Sequence, residues 1–449
     1  MASISPFRAL RYDPARVDLS NVVTQPYDKI TLDMQERYHA ASPYNLVRII
    51  LGKRETSDNE TENTYSRAAG NFADWRRRGV FLQDGEPSIY LYVQRFAVPG
   101  GKSEAERRGF IALGKIEDYA AGVVFRHEQT LAKPKADRLN LLRATRAHFG
   151  QIFMLYSDPA AEVEAALTPS GPPQIEVRDE YGVLHQLWTI SDPDVIDLVQ
   201  GKMRDKKLII ADGHHRYETA LSYRNERRAA AVPVGVMPRE RSADDFARAD
   251  ESETAPYEML MMTFINMDSP GLLILPSHRV VHDVEGFTPE ALHETAKTYF
   301  SVEEVDPAVD AARAQGILRQ AGLVGPALLA VTATRAFLLD RPKADPSVFG
   351  SLSLRQQSLD VVQLHKCMLE GALELSEESI REQQNLSYIR DTAEALERVR
   401  SGSANVAFLM NPVRMPQVRD IAFAGEVLPQ KSTDFYPKLL SGLTIYALE

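Results

Sequence analysis

LIIADGHHRYETAL, residues 208–221, is the stretch that decides the fold prediction for this chain. A run of aliphatic residues, typical of a buried strand, meets Asp212-Gly213, and a polar, helix-compatible segment follows at once. This order predicts a strand, a tight turn at Gly213 and a helix that begins at His214. The start of a helix exposes backbone N–H groups and the positive end of the helix dipole, so the turn is suited to bind an anion.

Three further donors crowd the same helix start, namely His214, His215 and Arg216. Arginine offers a planar, bidentate fork that matches phosphate oxygens. We therefore expect Gly213, His214 and Arg216 to bind phosphate. The alternative is structural: Asp212 caps the helix, the histidines lie at the surface, and the arginine pairs with a neighbouring carboxylate.

Composition excludes several classes of protein. The 449 residues suffice for two or three domains, and 44% hydrophobic with 25% charged residues is ordinary for a globular protein. A net charge of −10 argues against a broad nucleic-acid surface, and no apolar run is long enough to cross a bilayer. The start of the chain lacks the features of a signal peptide, and the single cysteine, Cys367, excludes an internal disulfide. We expect a cytoplasmic protein without a membrane partner.

The remaining sequence alternates between helix and strand signals. Two hairpins are predicted, one over residues 88–119 and one over residues 175–190, and residues 45–51 read as an apolar strand. The pattern predicts a mixed α+β fold, with hairpins around a strand-turn-helix core, rather than a regular parallel winding.

We place two domains along the chain. The first, residues 1–255, carries the Asp-Gly-His-His-Arg turn, and the second, residues 256–449, is a further α+β region that includes the segment LPQKSTDFYPK. The charged stretch 239–255 between them reads as an exposed loop.

Five separated motifs resemble one bacterial and archaeal family, the domain of unknown function 1015. They are Pro26-Tyr27-Asp28, HEQTLAKPKADRLNLLRAT (127–145), ADGHHRYETA (211–220), ILPSHRVV (274–281) and GEVLPQKSTDFYPKLLSGL (425–443). They occur in the right order over nearly the whole chain. The family name itself implies no activity.

The turn also resembles the phosphate-binding turn of the ParB/sulfiredoxin superfamily, whose motif matches Gly213, His215 and Arg216. That group includes CTP-binding partition proteins, sulfiredoxin, and free-serine kinases that take phosphate from ADP or ATP. Sulfiredoxin carries its catalytic cysteine where this chain has His214, which excludes sulfiredoxin chemistry. The Asp-Gly-His sequence is most similar to the motif of the serine kinases, so the resemblance implies ATP or ADP as cofactor, with Mg²⁺.

Other polar groups are candidates for chemistry. His127 and Glu128 follow a strand, where they are placed for proton transfer or for a divalent metal, or simply for local hydrogen bonds. Asp28 follows Pro26-Tyr27 and is either a site residue or a turn cap.

A second candidate phosphate contact lies near the C-terminus. Lys431, Ser432 and Thr433 combine an ammonium with two hydroxyls, which suits a cationic lid over a phosphorylated ligand or, alternatively, a structural turn. The segment lacks the glycines of a P-loop, and the sequence contains no HExxH zinc motif.

Together these features predict a phosphoryl-transfer enzyme, a kinase or phosphatase, for a small hydroxy metabolite such as free serine or phosphoserine. Asp212 or Glu128 would hold Mg²⁺ or accept the substrate proton, with Asp28 as a further base and His127 and His215 as acid–base candidates. If the motifs build one site, His127, Glu128 and Asp28 converge with Arg216 on one pocket. The competing hypothesis is a non-catalytic nucleotide sensor of the ParB type.

Overall fold

A computed structural model describes residues 1–101, 103–128, 132–231 and 254–448, with the backbone alone for 132–134. The chain divides into two compact units. The first consists of Met1–Arg126, Thr130–Leu272 and Pro437–Glu449, and the second of His127–Gln129 and Leu273–Tyr436. The mixed α+β class predicted from the sequence is confirmed.

This division differs from the predicted boundary at residues 255/256. Residues 256–272 belong to the first unit, because their strand pairs within its sheet, and the last segment of the chain returns to the same unit. Of the predicted loop 239–255, only residues 254 and 255 lie within the described part of the chain.

The first unit is built around one large sheet. Its strands are β1 Ile4–Ser5, β2 Leu10–Tyr12, β3 Phe81–Gln83, β4 Ile89–Ala97, β5 Glu104–Lys115, β6 Val124–Phe125, β7 Ala147–His148, β8 Ile152–Tyr156, β9 Ile175–Arg178, β10 Leu184–Ile190, β11 Leu208–Asp212 and β12 Met259–Asn266, with β21 Tyr446–Ala447 from the end of the chain. In the described residues the large sheet has the order β6-β11-β8-β12-β5-β4-β10-β9, with β1 paired to β5, while β2/β3 and β7/β21 form separate two-stranded sheets. Only the pairs β6/β11 and β8/β12 are parallel there. Both predicted hairpins are confirmed, as β4/β5 and β9/β10.

Helices cover this sheet and form a second apolar cluster beside it. They are α1 Leu32–Ala41, α2 Val47–Ile50, α3 Thr64–Arg77, α4 Ala132–Thr145, α5 Glu162–Ala166, α6 Pro193–Met203 and α7 His214–Ala231. The local signals are ordinary caps: the Thr31 side chain accepts the Met34 N–H, and Asp192 caps a helix whose first residue is Pro193.

The predicted strand at residues 45–51 is wrong. Val47–Ile50 is a short helix, and the Asn45 side chain accepts the Val47 N–H at its start. Residues 45–51 are apolar except for Asn45 and Arg48, and so short a run does not separate a buried strand from a buried helix.

The second unit has an antiparallel sheet. Its strands are β13 Leu273–Leu275, β14 His278–Val281, β15 Ser301–Val305, β16 Leu328–Val331, β17 Ala336–Asp340, β18 Leu386–Ile389, β19 Val406–Met410 and β20 Asp434–Tyr436. The described strands run in the order β15-β17-β16-β19-β14-β18, and β13 pairs separately with β20.

The helices of this unit pack on the sheet and enclose its apolar core. They are α8 Pro289–Tyr299, α9 Ala311–Ala321, α10 Leu354–Gln357, α11 Asp360–Gln363, a π-helix Leu364–Ala372, α12 Glu377–Glu382, α13 Thr392–Arg400 and α14 Met415–Phe423. Cys367 is buried in the π-helix, as the sequence predicts. Among the described residues, none of the helices has both the length and the apolar character required to cross a bilayer.

Candidate functional site

The turn after β11 has the predicted geometry. The strand ends at Asp212, Gly213 has φ +94°, and α7 begins at His214. A Cβ atom at residue 213 would lie 3.0 Å from the Arg216 guanidinium, so glycine is required both by the backbone angle and by the packing. A β-bulge between Ile210 and Asp212 interrupts the ladder with β8, a feature that is common where a strand redirects a side chain next to a site.

Asp212 lies between two cations. Arg216 Nη2 donates to one carboxylate oxygen over 2.7 Å, and Lys438 Nζ donates to the other over 3.2 Å. The Arg216 guanidinium also donates to the Gln151 carbonyl. Glu218 on the same helix instead pairs with Lys135 and with another arginine. The arginine that we expected to bind phosphate is thus held over the turn by its own neighbours.

These cations set the protonation state of Asp212. Burial raises the pKa of its carboxyl group, but Lys438, Arg216 and Lys29 oppose this and together hold the pKa well below its usual range. Asp212 is therefore ionised at neutral pH and is a weak proton acceptor. Because both oxygens accept from cations, the residue does not fit Mg²⁺, whose charge would add to the positive charges already present.

An open cleft lies beside the turn. Its lining comprises Pro26, Tyr27, Ile50, Arg138, Leu141, Leu142, Ala147, His148, Phe149, Gly150, Arg216, Thr219, Leu260 and Ser441. The wall is mostly apolar, with a few polar groups at defined positions, which is the usual composition of a small-molecule site. Arg216 belongs to both the turn and the cleft.

The motif Pro26-Tyr27-Asp28 contributes to this cleft. The Arg138 guanidinium lies over the Tyr27 ring, 4.1 Å from its centre. Burial, reinforced by the neighbouring Asp28, raises the pKa of Tyr27 to about 12, so its hydroxyl is neutral. Asp28 itself is exposed.

The two histidines at the helix start differ in environment. His214 is buried, whereas His215 is partly exposed and its carbonyl accepts from the Thr219 hydroxyl at 2.7 Å. His215 is therefore the histidine with a solvent-facing surface.

The remaining candidates form a cluster within the second unit. A ring nitrogen of His127 lies 2.8 Å from the Thr433 hydroxyl, and Glu128 accepts the Lys431 N–H at 2.8 Å. The His127 carbonyl accepts the N–H of Leu428. The two side-chain hydrogen bonds join residues 306 and 303 positions apart in the chain, and the Lys431 side chain remains exposed.

A buried arginine completes this cluster. The Arg279 guanidinium donates to the carbonyls of Gln430 and Lys431 and lies 4.4 Å from the centre of the Tyr388 ring. Burial lowers its pKa to about 10, so it remains charged at neutral pH. Within the cluster, Ser432 donates to the Pro429 carbonyl. The segment is thus fixed by side chains distant in sequence.

The sequence candidates therefore fall into two groups. Asp28 and Asp212 to Arg216 belong to the first unit, and His127, Glu128 and residues 431–433 to the second. Their convergence on one pocket stays a prediction. In the ranges that the structure describes, no group of three or more His, Cys, Asp and Glu side chains is arranged to hold a metal ion.

Sequence reasoning missed the importance of Lys438 and Lys29, the two lysines that act on Asp212. Lys438 is 226 positions from Asp212 in the chain, and local spacing carries no signal for such a pair. The one sequence signal for Lys438 is that it belongs to the motif at residues 425–443.

A family model described as a protein of unknown function, DUF1015, matches residues 4–362. The chain belongs to this family. No curated protein matches the sequence of this DUF1015 chain.

Solved structures resemble the DUF1015 chain at low identity. Free serine kinase in complex with AMP aligns at 12% identity with a TM-score of 0.34, covering 72% of this chain and 89% of that one. A conserved hypothetical protein from Pyrococcus furiosus aligns at 11% and 0.35, covering 72% and 92%. The C-terminally truncated SbnI from Staphylococcus aureus aligns at 9% and 0.34, covering 75% and 87%. At these values the alignments do not establish a shared activity.

Proposed function

We propose that the chain is a phosphoryl-transfer enzyme for a small hydroxy metabolite, and that the turn from Asp212 to Arg216 binds the phosphate of its nucleotide or phosphorylated ligand. The observation that carries the proposal is the set of cations at the start of α7. Arg216, Lys438 and Lys29 act on one carboxylate, so positive charge exceeds negative charge where the helix exposes its N–H groups.

Phosphoryl transfer requires mainly positioning and neutralisation of charge. Arg216 would exchange part of its contact with Asp212 for the phosphate, and the backbone of Gly213 to His215 would supply further donors. Asp212 orients the arginine between ligand-binding events. The apolar cleft beside Arg216 takes the rest of the ligand.

Among the carboxylates of the first unit, we propose Asp28 as the group that accepts the substrate proton. Asp212 is doubly paired and has a lowered pKa, which makes it a poor base. Asp28 is exposed and adjoins Tyr27, which lines the cleft. His215, partly exposed at the helix start, is the alternative acid–base group.

In the second unit we propose Lys431, with its exposed ammonium, as the contact to a phosphorylated ligand. Ser432 and Thr433 are then part of the turn that presents it, since their hydroxyls contact Pro429 and His127. His127 and Glu128 act by fixing this segment.

The test combines binding with turnover. Purified protein is incubated with ATP or ADP, Mg²⁺ and a panel of hydroxy metabolites that includes L-serine, and phosphorylated products are followed by mass spectrometry. Release of phosphate from O-phosphoserine is measured in parallel. We expect product in one direction, and Asp28→Asn should lower turnover by about 10²–10⁴ without weakening nucleotide binding.

The matched control is Asp194→Asn, an exposed aspartate on α6 of the same unit. We expect it to turn over like the wild type. If nucleotide binds but no member of the panel is converted, the enzyme assignment is overturned and the nucleotide-sensor hypothesis replaces it. If neither nucleotide nor phosphate binds, both fail.

A further inference from the structure

The segment that carries Lys438 is held by two buried hydrogen-bond chains of the first unit. We call them the Arg107 chain, formed by Arg107 and Gln94, and the His185 chain, formed by Asp179, His185 and Tyr92. Both end on the backbone of residues 437–440, next to the lysine whose ammonium reaches Asp212.

The Arg107 chain begins with a guanidinium that is only 1% exposed. Its Nε donates to Gln94 Oε1 over 3.0 Å, and its Nη2 donates to the Pro437 carbonyl. Gln94 Nε2 in turn donates to the Lys438 carbonyl over 2.9 Å. Burial lowers the pKa of Arg107 to about 9, with Tyr92 and Asp212 opposing that shift, so the group is charged at neutral pH.

The His185 chain has a defined direction. Burial lowers the pKa of His185, so the imidazole is neutral at pH 7. Its Nε2 lies 3.2 Å from the Asp179 carboxylate, which can only accept, so this nitrogen carries the proton. The other nitrogen then accepts from the Tyr92 hydroxyl at 2.7 Å, and that hydroxyl accepts the Leu440 N–H at 3.4 Å.

A buried arginine and a buried Asp–His–Tyr chain are costly to desolvate, and such networks fix one arrangement when every member is satisfied. Here the Arg107 chain contacts Pro437 and Lys438, and the His185 chain contacts Leu440, so the two hold one short segment. The side chain positioned in this way is Lys438, which is largely buried and contacts the carboxylate oxygen of Asp212 that Arg216 does not contact. Lys438 and Arg216 therefore each contact one oxygen of the Asp212 carboxylate at the start of α7.

We propose that Lys438 is a phosphate-binding residue of this site and that the Arg107 and His185 chains position it. The inference rests on the proposed function, since it names a second phosphate contact of the same turn. This implies a ligand with at least two negative charges on its phosphate, because two cations and the start of the helix would then bind it together.

The test uses the full chain and pyrophosphate as probe, with affinity measured by calorimetry. Lys438→Met should weaken binding by about 10- to 30-fold, the lower part of the range for one charge-assisted contact, and Lys438→Arg should restore part of the loss. The control is Lys206→Met, since Lys206 makes a similar 3.3 Å pair with Asp158 in the same unit. We expect that control to bind like the wild type.

Positioning is tested by a double-mutant cycle. Gln94→Met should weaken binding, while Gln186→Met, the same change at a buried glutamine of the neighbouring strand, should not. Because Gln94 acts through Lys438, the double variant should bind no more weakly than Lys438→Met alone, whereas a general structural effect would add. If Gln94→Met does not fold, Tyr92→Phe replaces it in the cycle.

The outcomes separate the two proposals. If Arg216→Ala loses pyrophosphate but Lys438→Met binds normally, this inference is overturned and the proposed function stands. If the effects of Gln94→Met and Lys438→Met on pyrophosphate binding are additive, Gln94 does not position Lys438. If the wild type binds neither pyrophosphate nor nucleotide, the proposed function fails first.

Discussion

Replacing Arg216 by alanine is the sharpest perturbation of the proposed site. The side chain is 16% exposed, contacts Asp212 at 2.7 Å, and lines the cleft. Removing one charge-assisted contact to a phosphate costs about 2–3 kcal/mol, or roughly 30- to 150-fold in affinity. The loss should lie at the upper end of this range. Without Arg216, Asp212 would keep its contact with Lys438 but lose the one with the guanidinium, so its negative charge would repel the incoming anion more strongly.

The assay is calorimetric titration of wild type and Arg216→Ala with ADP and with pyrophosphate, after circular dichroism has shown that both are folded. The matched control is Arg143→Ala. Arg143 lies in the same unit and pairs with Glu226 of α7, but it is exposed and remote in sequence from the turn. We expect the control to bind within twofold of the wild type. Unchanged affinity in a folded Arg216→Ala variant would refute the assignment of the turn as the phosphate site.

Three further predictions follow from individual residues. Folding lowers the pKa of Asp212, so its ionised form stabilises the fold above the ordinary aspartate pKa of about 3.9 and this stability is lost as the pH falls. Asp212→Asn should therefore lower the free energy of unfolding in urea by about 3 kcal/mol at pH 7, and an equal loss at pH 2 would contradict this. Gly213→Ala should cost about 1–2 kcal/mol in stability and also weaken pyrophosphate binding, while Gly182→Ala, at φ +79° with no atom near its Cβ position, should affect stability alone. Burial raises the pKa of Cys367 to about 12, so the native thiol should react with a disulfide reagent at pH 8 more than about a hundredfold more slowly than in urea; equal rates would show that it is accessible.

Local patterns predicted the parts of the fold that local chemistry decides. The β4/β5 and β9/β10 hairpins each join two strand-like segments through a glycine with positive φ, and the Gly213 turn combines a strand, a glycine and a helix start within a few residues. The error at residues 45–51 has the opposite origin. That run is too short to show a period, and the hydrogen bond from the Val47 N–H to the Asn45 side chain, which favours a helical turn, is not part of a hydrophobic pattern.

The site was predictable to a similar degree. Spacing located Arg216, because the residues that make a helix start cationic are neighbours in sequence. It did not locate Lys438 or the buried Arg107, since their contacts join residues 226 and 330 positions apart in the chain. For Glu128, the sequence left proton transfer, a metal ligand and a local hydrogen bond as alternatives, and it carried no signal for the contact with the Lys431 N–H, 303 positions away.

The central claim is that phosphate binds at the start of α7. A crystal structure of the protein with bound pyrophosphate or ADP tests it most directly. We expect phosphate oxygens within about 3 Å of the Arg216 guanidinium and of the backbone N–H groups that follow Gly213, as for other helix-start sites. Ligand density elsewhere in the molecule, with Arg216 still turned to Asp212 and Gln151, would contradict the claim.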